Sequence, residues 1–297
     1  MRTEAADPRY VEIDCWPTLL AAEAMLEGQL AAIASLYSQM GGVAAASEAA
    51  AARLLRGGRL VYAGAGTSGR IAVQDGVELS PTYNWPEERL AFVLAGGISA
   101  LSASAEGAED DREDAVDQIR KANIGANDVA IGVAASGVTP FTVAAIVEAR
   151  ARGALTIGIS NNAATPLLAE SDHPLLADTG SELIAGSTRM KAGTAQKALL
   201  NILSTATMLR CGLVYKGLMV NMRVSNDKLA IRARAIVREL TGVEPAVADK
   251  AMTASGGIIK VAVLIASGVE AGRAEELLRS NKDNLRAALE QHASGRP

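Results

Sequence analysis

The sequence predicts an α/β fold, in which a parallel sheet of five strands carries helices on both faces. Short β-prone runs alternate with helical runs along the middle of the chain, and parallel strands need crossover connections of that kind. Aromatic residues make up only 3% of the 297 residues and alanine is abundant, a composition that suits helices packed closely on a sheet. Three parts are predicted: helical residues 1–54, a sheet domain over 55–218 and a small helical domain over 219–297.

The first part has helical periodicity from about Trp16 to Leu55 and is interrupted at Gly41-Gly42, so a pair of helices is predicted before the sheet. Apolar, β-prone runs then predict the five strands. They lie at Leu60–Ala63, Leu90–Ala95, Val129–Ala134, Leu155–Ile159 and, more weakly, Pro174–Ala177.

A long apolar helix is predicted from Ala192 to Leu213, buried against the sheet or in a subunit contact. Beyond Thr241-Gly242, glycines divide the tail into three helical stretches. These are Pro245–Ala254, Ile258–Ala266 and Glu270–Gln291.

Charge and composition exclude several classes of function. The net charge is -4 with dispersed basic residues, which argues against nucleic acid as a partner. No uncharged run of about 18 apolar residues and no secretion signal is recognisable, so a cytoplasmic protein without a membrane span is expected. Cys15 and Cys211 lie far apart and form no Cys/His cluster, so neither a disulfide framework nor a metal site is predicted.

The first predicted strand runs into the glycine-rich segment Gly64–Arg70 (GAGTSGR). Glycines let an anion approach the first N–H groups of the following helix, and Thr67 and Ser68 add two hydroxyl donors, so a phosphate site is predicted. The spacing also matches the dinucleotide fingerprint, but the second strand ends at Gly96-Gly97 without the carboxylate that a ribose requires. A glycine turn that only packs a helix on the sheet remains the structural alternative.

Other polar loops follow the predicted strands. Ligands of open parallel sheets lie beyond the carboxyl ends of the strands, so the loops at 136–140, 160–162 and 186–191 are expected to meet the glycine loop at one edge. Serine, glycine and asparagine are common in turns whatever the function. Four such loops together nevertheless favour a phosphorylated sugar as ligand.

Carboxylates are the main candidates for proton transfer. Glu78 follows the glycine loop by about three helical turns, with Pro81 expected to end the helix just after it. Glu109 lies in an acidic run, Glu106–Asp111, which is otherwise typical of a solvated helix start. Neither His173 nor His292 lies near these loops, and this argues against an aldose-ketose isomerase, which usually opens the sugar ring with such a group.

Four segments closely resemble those of N-acetylmuramic acid 6-phosphate etherases, members of the sugar isomerase (SIS) fold. They are Gly64–Arg70, Glu106–Asp111 (EGAEDD), Ala134–Gly137 (AASG) and Gly186–Lys197 (GSTRMKAGTAQK). The last is highly specific, and the resemblance extends over nearly the whole chain. It implies an SIS-type domain at 55–218 and a cofactor-free lyase that removes D-lactate from a phosphorylated amino sugar in peptidoglycan recycling.

The resemblance also implies roles for individual residues. Glu78 and Glu109 correspond to the two catalytic glutamates, Glu78 as the acid and Glu109 as the base. Phosphate binding maps onto Gly66, Ser68, Ser136, Gly137 and Thr139, with Thr67 in the same loop, and more weakly onto Ser187 and Lys191. The family is dimeric, so a homodimer that binds a small sugar phosphate is expected.

Two alternatives remain open from the sequence. One is a phosphosugar isomerase of the same fold; the other is a non-catalytic sugar-phosphate sensor that resembles the glucokinase regulatory protein. The chain also departs from the usual family pattern at Leu79, Val138 and Asn221, positions that bear on substrate selectivity.

Overall fold

The computed structural model describes residues 1–103, 105 and 107–295, so Glu106 of the acidic run lies outside the described residues. The chain forms two compact units. The first comprises Met1–Val77 and Glu87–Thr207, and the second comprises Glu78–Pro86 and Met208–Pro297.

The first unit contains the predicted five-stranded parallel sheet, with the strand order β2-β1-β3-β4-β5. Continuous burial of β1, β3 and β4 explains why each reads as an uninterrupted apolar run. All five strands lie within one residue of their predicted bounds. They are β1 (Leu60–Gly64), β2 (Leu90–Leu94), β3 (Val129–Ala134), β4 (Leu155–Ser160) and β5 (His173–Leu176).

In the described part of the chain, seven α-helices lie before or between the strands or directly after the last strand. They are α1 (Thr18–Ala34), α2 (Met40–Leu54), α3 (Gly66–Tyr83), α4 (Arg112–Lys121), α5 (Pro140–Ala151), α6 (Pro166–Ala169) and α7 (Lys191–Arg210). Helices α3 and α7 continue across the boundary of the units, at Val77 and Thr207 respectively.

Helices cover both faces of the sheet, as predicted. On one face the rings of Tyr62 and Phe92 stack at 6.0 Å between centroids, and Gly76 of α3 packs so closely on them that an added Cβ would lie 2.7 Å from Phe92. On the other face Val61 and Ala63 join a buried cluster with α4 and α5. Parallel strands alternate side chains between faces, so each face has its own apolar layer.

The break between α1 and α2 lies at Ser35–Gln39, a 3-10 turn, and not at Gly41-Gly42 as predicted. The Ser35 hydroxyl donates to Ala32 O at 2.8 Å, and this local competition for backbone carbonyls favours interruption of the helix. Gly42 instead lies inside α2, where a Cβ would stand 3.1 Å from Leu175 Cδ2. The glycine therefore serves close packing.

The expectation that Pro81 ends α3 is wrong by two residues, because the helix continues to Tyr83. Proline removes one N–H donor, and at this point the helix has less than one turn left.

The second unit has its own core and five helices beyond residue 226. The sequence prediction omitted the first of them and merged the last two, which Asn281–Asn284 separate. Asn226 caps the omitted helix by accepting the N–H of Leu229, and Gly242 ends it with φ +74°. They are α8 (Asp227–Thr241), α9 (Pro245–Ala254), α10 (Ile259–Ala266), α11 (Ala271–Ser280) and α12 (Leu285–Ala293).

Within the described residues, one helical stretch, Thr18–Leu54, is long and apolar enough to span a membrane. It has 37 residues, a mean hydropathy of 1.4 and 22% of its apolar window buried. Core helices of soluble proteins meet the same criteria, so length and hydropathy do not distinguish the two cases.

Candidate active site

An open cavity of about 370 Å³ lies at the carboxyl edge of the sheet in the first unit. It brings together the glycine loop, the turn after β3, the acidic run and the first residues of the chain. Among the predicted site residues, Gly66, Thr67, Ser68, Glu109, Ser136 and Thr139 line it, together with Met1, Glu4, Asp110 and Thr188. Glu78, Gly137, Ser187 and Lys191 are not among its lining residues.

The first wall is the turn from β1 into α3. A Cβ added at Gly64 would lie 2.9 Å from Gly69 Cα, so only glycine permits this close approach of strand and helix. The N–H groups of the first turn of a helix lack acceptors within the helix and carry partial positive charge. The hydroxyls of Thr67 and Ser68 make no hydrogen bond to other described residues, and Ser68 is 8% exposed. These donors are therefore available to an anion.

The second wall is the turn from β3 into α5. Gly137 has φ +70°, and a Cβ there would lie 2.4 Å from both Ser160 Oγ and Thr165 Oγ1. In this turn Ser136 Oγ accepts the N–H of Val138 at 3.2 Å and lies 3.3 Å from Thr139 Oγ1. Gly137 therefore packs against Ser160 and Thr165 on the side of the turn away from the cavity lining, and the hydroxyls of Ser136 and Thr139 line the cavity.

Helix α5 begins directly at this turn, and the side chain of its N-cap residue Thr139 does not cap it. A second helix N-terminus, besides that of α3, is therefore available to an oxygen-rich ligand.

The N-terminus of α7 differs from these two because a buried carboxylate already occupies it. Glu182 accepts the backbone N–H groups of Lys191 and Ala192, each at 2.9 Å. The Lys191 ammonium donates to Ser181 O at 2.7 Å, and burial lowers the pKa of this lysine. A direct role of Lys191 in ligand binding thus gains no support from the geometry and stays a prediction, as does that of Ser187.

The two predicted glutamates are both exposed. Glu109 lies in a 3-10 turn after β2, at Ala108–Asp110, and also lines a neighbouring cavity of about 320 Å³ that shares Gly66 and Thr67. Glu78 lies on α3, about three turns beyond Gly66. In the second unit, Asn221 Nδ2 donates to Tyr83 O at 2.6 Å and so fixes the end of α3.

The loop after β4 does not line the cavity, although it was predicted to do so. Its side chains instead form hydrogen bonds with other parts of the first unit. Asn161 accepts from Gln196 at 2.8 Å, and Asn162 accepts the backbone N–H of Arg2 at 2.7 Å and donates to the buried Thr3 hydroxyl at 3.0 Å. This loop therefore straps the N-terminal segment to the sheet.

The hydrogen bonds of Asn162 to Arg2 and Thr3, called here the strap, explain why Met1 and Glu4 line the cavity, which was not predicted. The sequence signal was the Thr3-Glu4 pair within the family resemblance, but its contact with Asn162 spans 159 positions. With Glu4, Glu109 and Asp110, the cavity has three carboxylates, and no lysine or arginine is among its described lining residues.

Comparison with known proteins decides the family. The chain is 45% identical over 289 residues to an N-acetylmuramic acid 6-phosphate etherase of Deinococcus radiodurans, covering 97% of this chain and 95% of that protein. It is 46% identical to the protein of that name from Streptomyces avermitilis, covering 97% and 93%. The chain belongs to the N-acetylmuramic acid 6-phosphate etherase family.

Domain comparisons agree with the fold of this etherase family member. Residues 42–151 match the model of the glucokinase regulatory protein N-terminal SIS domain, and residues 110–206 match the SIS domain model. A solved Bacteroides fragilis protein, described as involved in capsule formation, superposes with a TM-score of 0.53 at 21% identity, covering 68% of this chain and 95% of that one. The predicted SIS-type sheet is confirmed.

Proposed function

We propose that the protein is a lyase that cleaves the D-lactyl ether of N-acetylmuramic acid 6-phosphate, giving N-acetylglucosamine 6-phosphate and D-lactate in peptidoglycan amino-sugar recycling. The observation that carries the proposal is the convergence of Glu109 with Ser68, Ser136 and Thr139 in one cavity, in a chain 45% identical to a named etherase. The cavity offers hydroxyl donors and helix N-termini for a phosphate, and a carboxylate for proton transfer.

The proposed phosphate contacts use no lysine or arginine. The hydroxyls of Ser68, Ser136 and Thr139, with the first N–H groups of α3 and α5, supply the donors. Gly66 at the start of α3 leaves room for the phosphate to approach, since no atom lies within 4 Å of its Cβ position. Phosphate then anchors one end of the sugar in the cavity that Glu109 also lines.

The proposed reaction is an elimination followed by a hydration. In the open-chain aldehyde the carbonyl acidifies the C2 proton, which Glu109 removes as the C3–O bond to lactate breaks and a C2=C3 double bond forms. Glu78, which does not line this cavity, is proposed from the family resemblance as the acid that gives its proton to the departing lactyl oxygen. Water then adds its oxygen at C3 while C2 regains a proton, so the two carboxyl groups exchange roles and return to their starting states.

The experiment is incubation of the purified protein with N-acetylmuramic acid 6-phosphate, with D-lactate and the sugar product measured. Equal amounts of D-lactate and N-acetylglucosamine 6-phosphate are expected. A ketose product without lactate would instead identify an isomerase, and binding without any product would identify a sensor; either result would overturn the proposal.

We also propose that the protein acts in the cytoplasm as a homodimer. Helix α1 exposes Leu19, Leu26, Leu30 and Ile33 to solvent in the single chain, and large exposed apolar surfaces are typical of protein contacts. Light scattering coupled to gel filtration should give twice the mass of one chain, and Leu26→Asp should shift the equilibrium toward the monomer. A monomer at micromolar concentration would contradict the proposal.

A further inference from the structure

A second open cavity, of about 450 Å³, lies on the first two turns of α7. We call it the Arg189–Lys197 cavity. It is separate from the phosphate cavity, which is the cavity of about 370 Å³ at the carboxyl edge of the sheet. Its lining residues are Ile71, Arg189, Gly193, Thr194, Lys197 and Ala198, all in the first unit.

The two cavities meet at Gly193. A Cβ built there would lie 3.4 Å from Ile71 Cδ1 and 3.8 Å from Thr67 Cγ2, and Thr67 lines the phosphate cavity whereas Ile71 lines the second. Thr67 and Ile71 are one turn apart on α3, about 6 Å along its axis. The two cavities therefore adjoin, and Thr188 of the first cavity directly precedes Arg189 of the second along the chain.

The two charged residues that line the Arg189–Lys197 cavity are both cations, and Lys197 also interacts electrostatically with the buried Asp75 carboxylate. Neither Arg189 nor Lys197 forms a hydrogen bond or an ion pair with another described residue, and no carboxylate is among the described lining residues. Other cations nearby are engaged: the Lys191 ammonium bonds Ser181 O, and Arg70 Nε bonds Ala100 O at 3.0 Å. Arg189, Lys197 and the Thr194 hydroxyl form a set of donors suited to an anion.

The phosphate cavity has the opposite lining, with three carboxylates and no described lysine or arginine. A second anionic group on a ligand held there by its phosphate would be repelled by Glu4, Glu109 and Asp110. Arg189 directly follows Thr188, which lines the phosphate cavity, so the cations of the second cavity provide a complementary surface beside it.

We propose that Arg189 and Lys197 bind the carboxylate of the substrate's lactyl substituent. This inference rests on the proposed function and adds to it the recognition of the leaving group. Arginine presents a planar pair of N–H donors that matches a carboxylate, and lysine adds a point charge. The site distinguishes the substrate from its sugar product, because N-acetylglucosamine 6-phosphate lacks this carboxylate.

The test measures calorimetric binding of three ligands to the full chain. N-acetylmuramic acid carries only the carboxylate, N-acetylglucosamine 6-phosphate carries only the phosphate, and N-acetylmuramic acid 6-phosphate carries both; the third is measured on a Glu109→Gln background to prevent turnover. Arg189→Gln and Lys197→Met should each weaken the two carboxylate ligands about tenfold or more, and leave N-acetylglucosamine 6-phosphate unchanged within about twofold. Lys197→Arg should retain most of the affinity.

Lys121→Met is the matched control, because Lys121 is exposed on α4 and its loss changes the net charge by the same amount. It should leave all three affinities unchanged. Equal weakening of all three ligands by Lys197→Met, or no weakening of any, would overturn the carboxylate site.

The D-lactate assay tests the proposed function separately, since a wild-type protein that releases no lactate would contradict that function. The binding comparison retains its meaning in that event, since it requires no turnover.

Discussion

The phenolic hydroxyl of Tyr62 on β1 donates a 2.8 Å hydrogen bond to the carboxylate of Asp75 on α3. Asp75 is 2% exposed and also accepts from Asn201 Nδ2 at 2.7 Å and from Ser204 Oγ at 3.1 Å, both on α7. One buried carboxylate thus joins the first strand, the helix of the glycine loop and the helix of the Arg189–Lys197 cavity. Burial raises its pKa above 3.8, and these three hydrogen bonds and the charge of Lys197 partly offset the increase.

Asp75→Asn should change the pH dependence of stability. A carboxyl group whose pKa is higher in the folded state contributes stability that is fully present below its unfolded pKa and is lost as pH rises through the folded pKa. The wild type should therefore lose stability relative to Asp75→Asn as pH rises above 3.8 and through the raised folded pKa. Urea unfolding at several pH values measures the difference, and parallel curves for the two proteins would contradict the raised pKa.

Asp75→Ala should be more damaging than the amide. It leaves the buried Tyr62 hydroxyl and the Asn201 amide without their acceptor, and each unsatisfied donor costs about 1–3 kcal/mol. The free energy of unfolding at neutral pH should fall by about 2–4 kcal/mol. If alanine and asparagine are equally stable there, the three hydrogen bonds do not stabilise the fold.

Glu78→Gln and Glu109→Gln should each reduce lactate release by at least about 100-fold. Glutamine keeps the shape of the side chain but cannot exchange the proton, so binding of N-acetylglucosamine 6-phosphate should be retained. Glu113→Gln, an exposed neighbour in the first turn of α4, is the control and should release lactate at the wild-type rate. Wild-type turnover by either of the first two variants would remove that glutamate from the mechanism.

Ser68→Ala should weaken binding of N-acetylglucosamine 6-phosphate by about ten- to a hundredfold, because one hydrogen bond to a charged group is lost, about 1.5–3 kcal/mol. Binding of N-acetylmuramic acid, which has no phosphate, should be little affected. Ser102→Ala, an exposed serine outside the lining of the phosphate cavity, controls for loss of a hydroxyl. An unchanged affinity of the Ser68 variant would show that this hydroxyl does not touch the phosphate.

Gly137→Ala should distort the turn after β3. The added Cβ meets Ser160 Oγ and Thr165 Oγ1 at 2.4 Å, and overpacking of this kind costs about 1–3 kcal/mol in addition to the strain of positive φ. Gly57→Ala is matched for strain, with φ +90° and no atom within 4 Å of its Cβ position. Thermal unfolding should show a larger loss for Gly137→Ala, and equal losses would assign the whole effect to the backbone.

The strands could be predicted from sequence because each is a continuous apolar run bounded by polar or glycine residues. The glycine loop and the hydroxyls of Ser136 and Thr139 were predictable for a related reason, since parallel topology brings the ends of strands to one edge. The fold class followed from local pattern alone.

The sequence predictions were wrong or incomplete where contacts between distant parts of the chain determine the structure. Gly42 lies inside a helix, where the absence of a side chain leaves room for Leu175, and Glu4 reaches the cavity because Asn162 holds Thr3 across 159 positions. Arg189 and Lys197 were visible in the sequence as charges, but the cavity that they line together depends on how α3 packs on α7. Local periodicity contains none of this information.

The strap between Thr3 and Asn162 has a practical consequence for anyone preparing the protein. Thr3 is 0% exposed and Met1 lines the phosphate cavity, so an affinity tag fused before Met1 would begin at the cavity wall. Residues added there would lie beside the proposed phosphate site. Recombinant protein intended for binding measurements should carry its tag at the other end, or have an N-terminal tag removed without residual residues.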